Sequence, residues 1–229
     1  MCGRYTITVT LEELIVRYTI GVTNIPYHRP KYNVAPGQMV PAVISDGRTN
    51  RLGELRWGLI PSWAKDEKIG NRLINARAET AAEKPAFREP LRLRRCLVPA
   101  DGFYEWRTEP DGSRQPMRIV LRGGGIFSMA GLYETWTAPD GRRIATVAIL
   151  TTAPNELMAS IHDRMPVILR PEDEALWLDR SVRDPEALRP LFEPFPADAL
   201  EAYPVSKAVG SVKADDPSLI KPLAKPESS

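Results

Sequence analysis

Proline occurs 22 times among 229 residues, from Pro26 to Pro226, and this limits the fold more than any other feature of the chain. A proline inside a helix removes a hydrogen bond and clashes with the preceding turn, and in a sheet it is confined to edges, first positions and bulges. A chain broken so often is expected to build many short strands joined by ordered loops, not a helical bundle. Its hydrophobic content of 43% is ample for a buried core. The strand candidates do not alternate regularly with long helices, as a parallel α/β sheet requires. The expected architecture is therefore α+β: one β-rich domain over residues 2–223, with an antiparallel, barrel-like sheet core and short peripheral helices. Residues 224–229 have no apolar periodicity and are expected to be a disordered tail.

Local signals place the elements. Thr10-Leu11-Glu12-Glu13 reads as a capping box that opens a helix through about Tyr18, with Leu11, Leu14, Ile15 and Tyr18 on its apolar face. Tyr32 to Gly37 reads as a loop, and Met39 to Ile44 and Leu55 to Ile60 as hairpin strands around Asp46-Gly47. Further strands are expected at Arg95 to Pro99, Phe103 to Trp106, Met117 to Leu121, Ile126 to Tyr133 and Ile144 to Thr151, with turns at Asp111-Gly112 and Asp140-Gly141. Helical signals return at Asn155 to Ile161, at Pro171 to Leu178 and at Pro185 to Phe192 behind the cap Asp184.

Composition excludes several classes of function. No apolar run approaches the roughly 20 residues of a membrane span, and no basic-then-apolar signal precedes Cys2, so a cytosolic place is expected, nucleoid-associated in a bacterium. A net charge of +2 excludes a strongly basic nucleic-acid-binding domain. Arg88, Arg92, Arg94 and Arg95 form a local basic run, which alone reads as a solvated face. The two cysteines, Cys2 and Cys96, cannot make a disulfide framework or a zinc site, so no metal or cofactor is expected. Cys96 lies in the apolar run Cys96-Leu97-Val98-Pro99 and reads as core.

Cys2 is the residue with unusual chemistry. Initiator methionine is removed ahead of small side chains, which would leave a free α-amine and a thiol on one residue. An α-amine titrates near ~8 and is partly unprotonated at neutral pH, whereas lysine at ~10.4 is almost wholly charged. The amine can attack an aldehyde, and the thiol can close on the imine as a five-membered thiazolidine, an intramolecular step with effective molarities of ~10⁵–10⁸ M. Gly3-Arg4-Tyr5-Thr6-Ile7 runs at once into β-prone residues, so the terminus is expected to enter a strand. N-terminal nucleophile amidohydrolases also begin Met-Cys-Gly and use the same thiol with its own amine as base, so these residues alone leave both chemistries open.

Three further clusters carry candidate chemistry. Glu105 sits within Gly102-Phe103-Tyr104-Glu105-Trp106, where a charged carboxylate is costly unless it has a task; its environment should raise its pKa and suit it to proton shuttling. A solvent-facing strand glutamate would give the same pattern. Of two histidines, His28 reads as an exposed loop residue, and His162, within Ile161-His162-Asp163-Arg164-Met165-Pro166, is the better catalytic candidate, though simple pairing with Asp163 would look alike. In an extended chain Asn75, Arg77 and Glu79 share one face, and Arg77 suits a phosphate, or a structural pair with Glu79. Trp57, Trp63 and Trp106 with Arg4, Arg77 and Arg164 are the stacking surfaces and phosphate donors that single-stranded nucleic acid uses; Trp57, in an alternating strand, reads as core.

Taken in order, Met1-Cys2-Gly3-Arg4, Tyr32-Asn33-Val34-Ala35-Pro36-Gly37, Trp57-Gly58-Leu59-Ile60-Pro61, Asn75-Ala76-Arg77-Ala78-Glu79-Thr80, Pro99-Ala100-Asp101-Gly102-Phe103-Tyr104-Glu105-Trp106, His162-Asp163-Arg164-Met165-Pro166 and Pro204-Val205-Ser206-Lys207-Ala208-Val209-Gly210 resemble the SOS-response-associated peptidase family. The resemblance spans Cys2 to about Leu223 with no departure at a motif position. It implies a β-rich domain whose N-terminal cysteine captures abasic sites in single-stranded DNA as a thiazolidine crosslink. It carries the catalytic group onto Cys2, Asn75, Glu105 and His162, and the DNA-holding group onto Arg4, Pro36, Trp63, Arg77, Trp106, Thr151 and Arg164. It implies no cofactor, single-stranded abasic DNA as partner, a monomer, and self-processing of Met1 as the source of the peptidase name. General proteolysis of other proteins is a weak implication, and a non-catalytic single-strand binder would need the tryptophans and arginines but not an unblocked Cys2.

Overall fold

The computed structural model describes residues 2–224. Met1 and nearly all of the expected tail therefore lie outside the described residues. The strands are β1 (Tyr5–Ile7), β2 (Ile20–Thr23), β3 (Lys31–Val34), β4 (Met39–Ser45), β5 (Asn50–Trp57), β6 (Asn75–Arg77), β7 (Arg95–Ala100), β8 (Gly102–Thr108), β9 (Arg114–Leu121), β10 (Phe127–Thr137), β11 (Arg143–Thr152), β12 (Met165–Pro166), β13 (Ile168–Leu169) and β14 (Leu200–Pro204). Short helices, the longest of them α1 (Leu11–Arg17), lie between strands.

Strands β11, β10, β7, β4 and β5 follow one another by antiparallel pairing, and β5 returns to β11 with Arg56 beside Thr146 and Trp57 beside Val147. The expected barrel is thus present, but the pair that closes it is parallel, as are the pairings of β2 with β5 and of β6 with β11. Closure leaves this core ring without the open edge that invites aggregation. β7 is buried along its whole length, which fits its apolar run and its place between β10 and β4. Cys96 is core, as read. A second, antiparallel sheet in the order β14-β9-β8-β1-β3 packs its inner side chains, among them Tyr5, Val34, Phe103 and Ile119, into the same core.

The capping box forms as expected: Thr10 Oγ1 accepts from Glu13 N–H at 3.2 Å, and Glu13 Oε2 accepts from Thr10 N–H at 2.7 Å. The structure differs from the sequence reading at several places. Lys31–Val34 is a strand, because it pairs with β1, and only Ala35-Pro36-Gly37-Gln38 is a turn, with proline at its second position and Gly37 at φ 87° at its third. The second hairpin strand runs Asn50–Trp57 and not to Ile60, because Gly58 takes φ 126° and turns the chain away. His28 is buried, not exposed. The arginine run is a solvated face only in part: Arg88 and Arg92 are exposed, but Arg95 is buried and donates to the carbonyls of Trp177, Leu91, Arg92 and Asp179, and Arg94 pairs with Glu134 at 2.8 Å.

Gly58 has a positional task. A Cβ there would stand 2.6 Å from the Gly70 carbonyl oxygen, while Gly58 N–H donates to Val147 O and Leu59 N–H to Leu73 O. These contacts, with Trp57 Nε1–H on Ile74 O at 2.9 Å, deliver the chain into β6 and so place Asn75. Gly58→Ala meets both a forbidden φ and a backbone clash, so we expect a loss of ~2 kcal/mol or more, read as a lower denaturant midpoint with unchanged slope.

Candidate active site

Cys2 and Glu105 meet because β1 lies between β3 and β8. Tyr5 is opposite Phe103, and Tyr104 N–H donates to Arg4 O at 2.9 Å, which lays the residues before Tyr5 along the second half of β8. Asp101 fixes β1 from the side: its carboxylate accepts from Thr6 Oγ1 at 2.5 Å, from Thr8 N–H at 2.8 Å and from the Thr8 hydroxyl. Arg4 is fixed from the other side. Its guanidinium donates to Asn33 Oδ1 at 2.9 Å and to the carbonyls of Val209 at 2.6 Å and Gly210 at 3.1 Å. Asn33 Nδ2 in turn donates to the carbonyls of Val209, Ser211 and Ala214. The motifs around Asn33 and Val209 thus form the clamp that holds the start of the chain.

Within this frame Cys2 is fully buried and Glu105 is 2% exposed. Glu105 faces inward, so the solvent-facing alternative does not hold; Tyr104 lies on the opposite face of β8, in a cluster with Val205, Val209 and Leu219. Burial pushes the Glu105 carboxyl up to about 8, so it is largely protonated at neutral pH. Burial also pushes the Cys2 thiol well above its ordinary value, with the nearby Glu105 charge adding to the effect. The thiol is therefore an S–H, not a thiolate.

His162 Nε2 stands 3.7 Å from Glu105 Oε2. The Arg164 backbone N–H donates to His162 Nδ1 at 3.1 Å, which makes Nδ1 the acceptor and leaves the proton of the neutral ring on Nε2, toward Glu105. Burial lowers the His162 pKa, so the ring is neutral at pH 7. Asp163 Oδ1, 2.9 Å from Nδ1, becomes the partner of that nitrogen only when the ring takes a second proton. Two groups thus carry transferable protons at the cysteine, both uncharged at neutral pH.

Asn75 is half-buried in β6, opposite Ile149, with Nδ2 donating to Ile149 O at 3.4 Å. Two residues on, Arg77 is exposed and lies opposite Thr151. The strand stops at Arg77, so Asn75, Arg77 and Glu79 do not share one extended face: Glu79 falls in a turn and pairs in bidentate fashion with Arg164, at 2.7 and 2.9 Å. Arg164 also donates to Thr151 O at 2.6 Å. Of the two arginines in this cluster, Arg77 keeps its guanidinium outward and Arg164 is committed to Glu79 and Thr151.

Trp57 is core and packs at a tilt of 60° against Tyr5, with ring centroids 5.4 Å apart. Trp63 is 59% exposed on the loop before β6, held by the Trp136 indole N–H on Ala64 O at 2.7 Å. Trp106 is half-buried and Pro36 exposed at the tip of its turn. Among the described residues no three His, Cys, Asp or Glu side chains converge on a position for a metal ion, and no helix is long and apolar enough to cross a membrane. Sequence reading missed Arg114, whose N–H donates to Trp106 O at 3.1 Å; nothing in the linear pattern marks it.

A barrel core flanked by a sheet that brings a near-terminal cysteine close to a buried acid, itself 3.7 Å from a neutral imidazole, outlines a candidate cysteine-centred site. The model of the SOS response associated peptidase family matches residues 1–212, and the chain belongs to that family. It is 52% identical over 223 residues to the abasic site processing protein YoqW of Bacillus subtilis, covering 96% of this chain and 99% of that protein. It is 34% identical to the abasic site processing protein HMCES of Gallus gallus, over 86% of this chain and 67% of that one, and 32% identical to YedK of Escherichia coli, over 97% and 100%. A crystal structure of a protein from Bacteroides thetaiotaomicron superposes with a TM-score of 0.85 at 30% identity, covering 97% of this chain and 100% of that one.

Proposed function

We propose that the chain, with Met1 removed, captures abasic sites in single-stranded DNA as a covalent thiazolidine through Cys2. The observation that carries this reading is the buried pair of Glu105, its carboxyl near 8, and neutral His162 beside a cysteine whose thiol is held protonated. A nucleophile that begins as S–H suits a sequence in which the amine attacks first. It does not suit thiolate attack on an amide, which is the chemistry of the amidohydrolase alternative.

The steps balance with loss of one water. His162 assists opening of the abasic sugar as a proton relay: the ring oxygen gains a proton as the anomeric hydroxyl gives one up, and the imidazole is neutral before and after. The Cys2 amine adds to the free aldehyde, and protonated Glu105 gives its proton to the carbinolamine oxygen, which leaves as water. The Cys2 sulfur then bonds to the iminium carbon; its proton returns to the Glu105 carboxylate, restoring the acid, and the nitrogen keeps the one proton it already carries. Asn75 holds the sugar or the terminus, and Arg77, Thr151 and Arg164 with Arg4, Pro36, Trp63 and Trp106 hold the strand. The open imine gives the site lyase-like chemistry, and removal of Met1 is its peptidase-like step. The family membership and the relatives named for abasic site processing support this reading.

Intact mass after incubation with an abasic single-stranded oligonucleotide tests it. A gain equal to the oligonucleotide less one water, surviving denaturation without reductant, is expected; unchanged mass with turnover of glutamine would sink it. Because Arg77 is exposed and Arg164 is engaged, their variants should part company. Arg77→Ala should flatten the plot of log affinity against log salt by about 0.7, the loss of one phosphate contact on a single strand. Arg164→Ala should weaken binding with a smaller change of slope and lower the thermal midpoint, which a pair of titration and melting curves reads directly.

A further inference from the structure

Arg114 opens β9 opposite Thr108, at the far end of the β8–β9 hairpin from the barrel. Its side chain does not extend into solvent alone: one N–H is tied to the Trp106 carbonyl at 3.1 Å. That carbonyl faces the β1 side of β8. Tyr104 N–H is directed to Arg4 O, and backbone groups two residues apart in a strand point the same way. On the other side of β9, Pro116, the cross-strand partner of Trp106, turns its own carbonyl to Val205 N–H, so Trp106 and Pro116 exchange no ladder bonds. Arg114 therefore reaches past β8 to the rim where the chain before Tyr5 lies. Its charge acts there: it draws down the pKa of both Glu105 and His162. Among the described residues no carboxylate lies within ion-pair distance of its guanidinium, and the residue is exposed. One of five donors is used, and the others remain available beside the half-buried Trp106 ring, a diagonal neighbour on the same face of the hairpin.

From this geometry we infer that Arg114 is a phosphate-binding residue of the site: tethered to Trp106, it takes a backbone phosphate next to the captured sugar while Trp106 stacks the adjoining base. The inference rests on the single-strand reading above and extends it to a residue outside the motifs. A planar guanidinium pinned at one N–H presents the rest as a fixed fork, the geometry that suits phosphate oxygens. Neutralisation by the phosphate would also remove the pull of Arg114 on Glu105 and His162, so both groups hold their protons more firmly when DNA is bound.

The test uses the full chain with Met1 removed. Equilibrium binding to a single-stranded oligonucleotide without an abasic site is measured across a range of salt for wild type, Arg114→Gln and Arg114→Lys. The slope of log affinity against log salt is expected to fall by about 0.7 for Arg114→Gln and to stay near wild type for Arg114→Lys. Wild-type affinity and slope in Arg114→Gln, with an unchanged melting curve, would overturn the inference and leave Arg114 as a tether for the Trp106 carbonyl. Should Arg114→Gln melt lower, the lines are compared at a temperature where every variant is folded: a Gln line flatter than the Lys line upholds the phosphate contact, and Gln and Lys lines parallel to each other refute it. Wild-type protein that binds the strand but forms no adduct with an abasic one would refute the capture chemistry while leaving the Arg114 result standing.

Discussion

Cys2→Ala is expected to abolish the stable crosslink to abasic single-stranded DNA while keeping an adduct that borohydride traps. Alanine still permits removal of Met1 and keeps the α-amine, so the imine forms but no sulfur closes it. An open imine hydrolyses, and it acidifies the neighbouring sugar carbon, so some strand cleavage by β-elimination should accompany the variant. A tag retained ahead of Cys2 blocks the amine and should abolish crosslink, trapped adduct and cleavage together. Denaturing gels with and without borohydride read all three outcomes. A stable crosslink from Cys2→Ala or from the tagged protein would refute the aminothiol mechanism and turn attention to a lysine or to Cys96.

Glu105→Gln should trade activity for stability. The amide keeps the shape of the carboxylic acid but carries no transferable proton, so crosslinking should slow by roughly 10²–10⁴-fold, the usual worth of a positioned acid–base group. In wild type the rate should rise as the amine loses its proton and fall again as Glu105 ionises near 8; the falling limb should be missing in the variant. Stability moves the other way. The folded protein binds the Glu105 proton more tightly than the unfolded chain, from the ordinary 4.5 up to about 8. Wild-type stability from this group is therefore full below pH ~4.5, is lost as pH rises toward 8, and stays lost above. The advantage of Glu105→Gln should be near zero in acid and reach several kcal/mol, on the order of 5, in mild alkali. Denaturant curves across pH that show a constant difference would mean that the carboxyl is not buried against its charge.

Much of this was legible from local chemistry. The capping box, the turns at Asp111-Gly112 and Asp140-Gly141 and the apolar run of β7 are each decided by a few neighbouring residues, and each appears where expected. Exposure of Trp63 fits its loop, whereas the neighbours of Glu105 allowed either face and only the folded sheet decides for burial. The parallel closure between β5 and β11 was not legible either, because pairing partners ~90 residues apart leave no local trace. Lys31–Val34 reads as loop until β1 lies beside it. The burial of Arg95 depends on four carbonyls supplied by residues 91, 92, 177 and 179, and no composition rule anticipates such a cage. The commitment of Arg164 to Glu79 and the reach of Arg114 to Trp106 are likewise properties of the folded chain.

The clamp on Arg4 has a consequence for biosynthesis. The carbonyls that grip this guanidinium belong to Val209 and Gly210, and those that steady Asn33 extend to Ala214, among the last described residues to be translated. Cys2, made about 200 residues earlier, is held in its buried place only after residues 209–214 have been made and folded back. A ribosome-bound nascent chain stalled before residue 205 would carry the cysteine, Asn75, Glu105 and His162 yet lack the vise that aligns them, so its aminothiol would be no more dangerous to passing aldehydes than a free one. Assembly of the clamp thereby waits for residues 209–214 to be made.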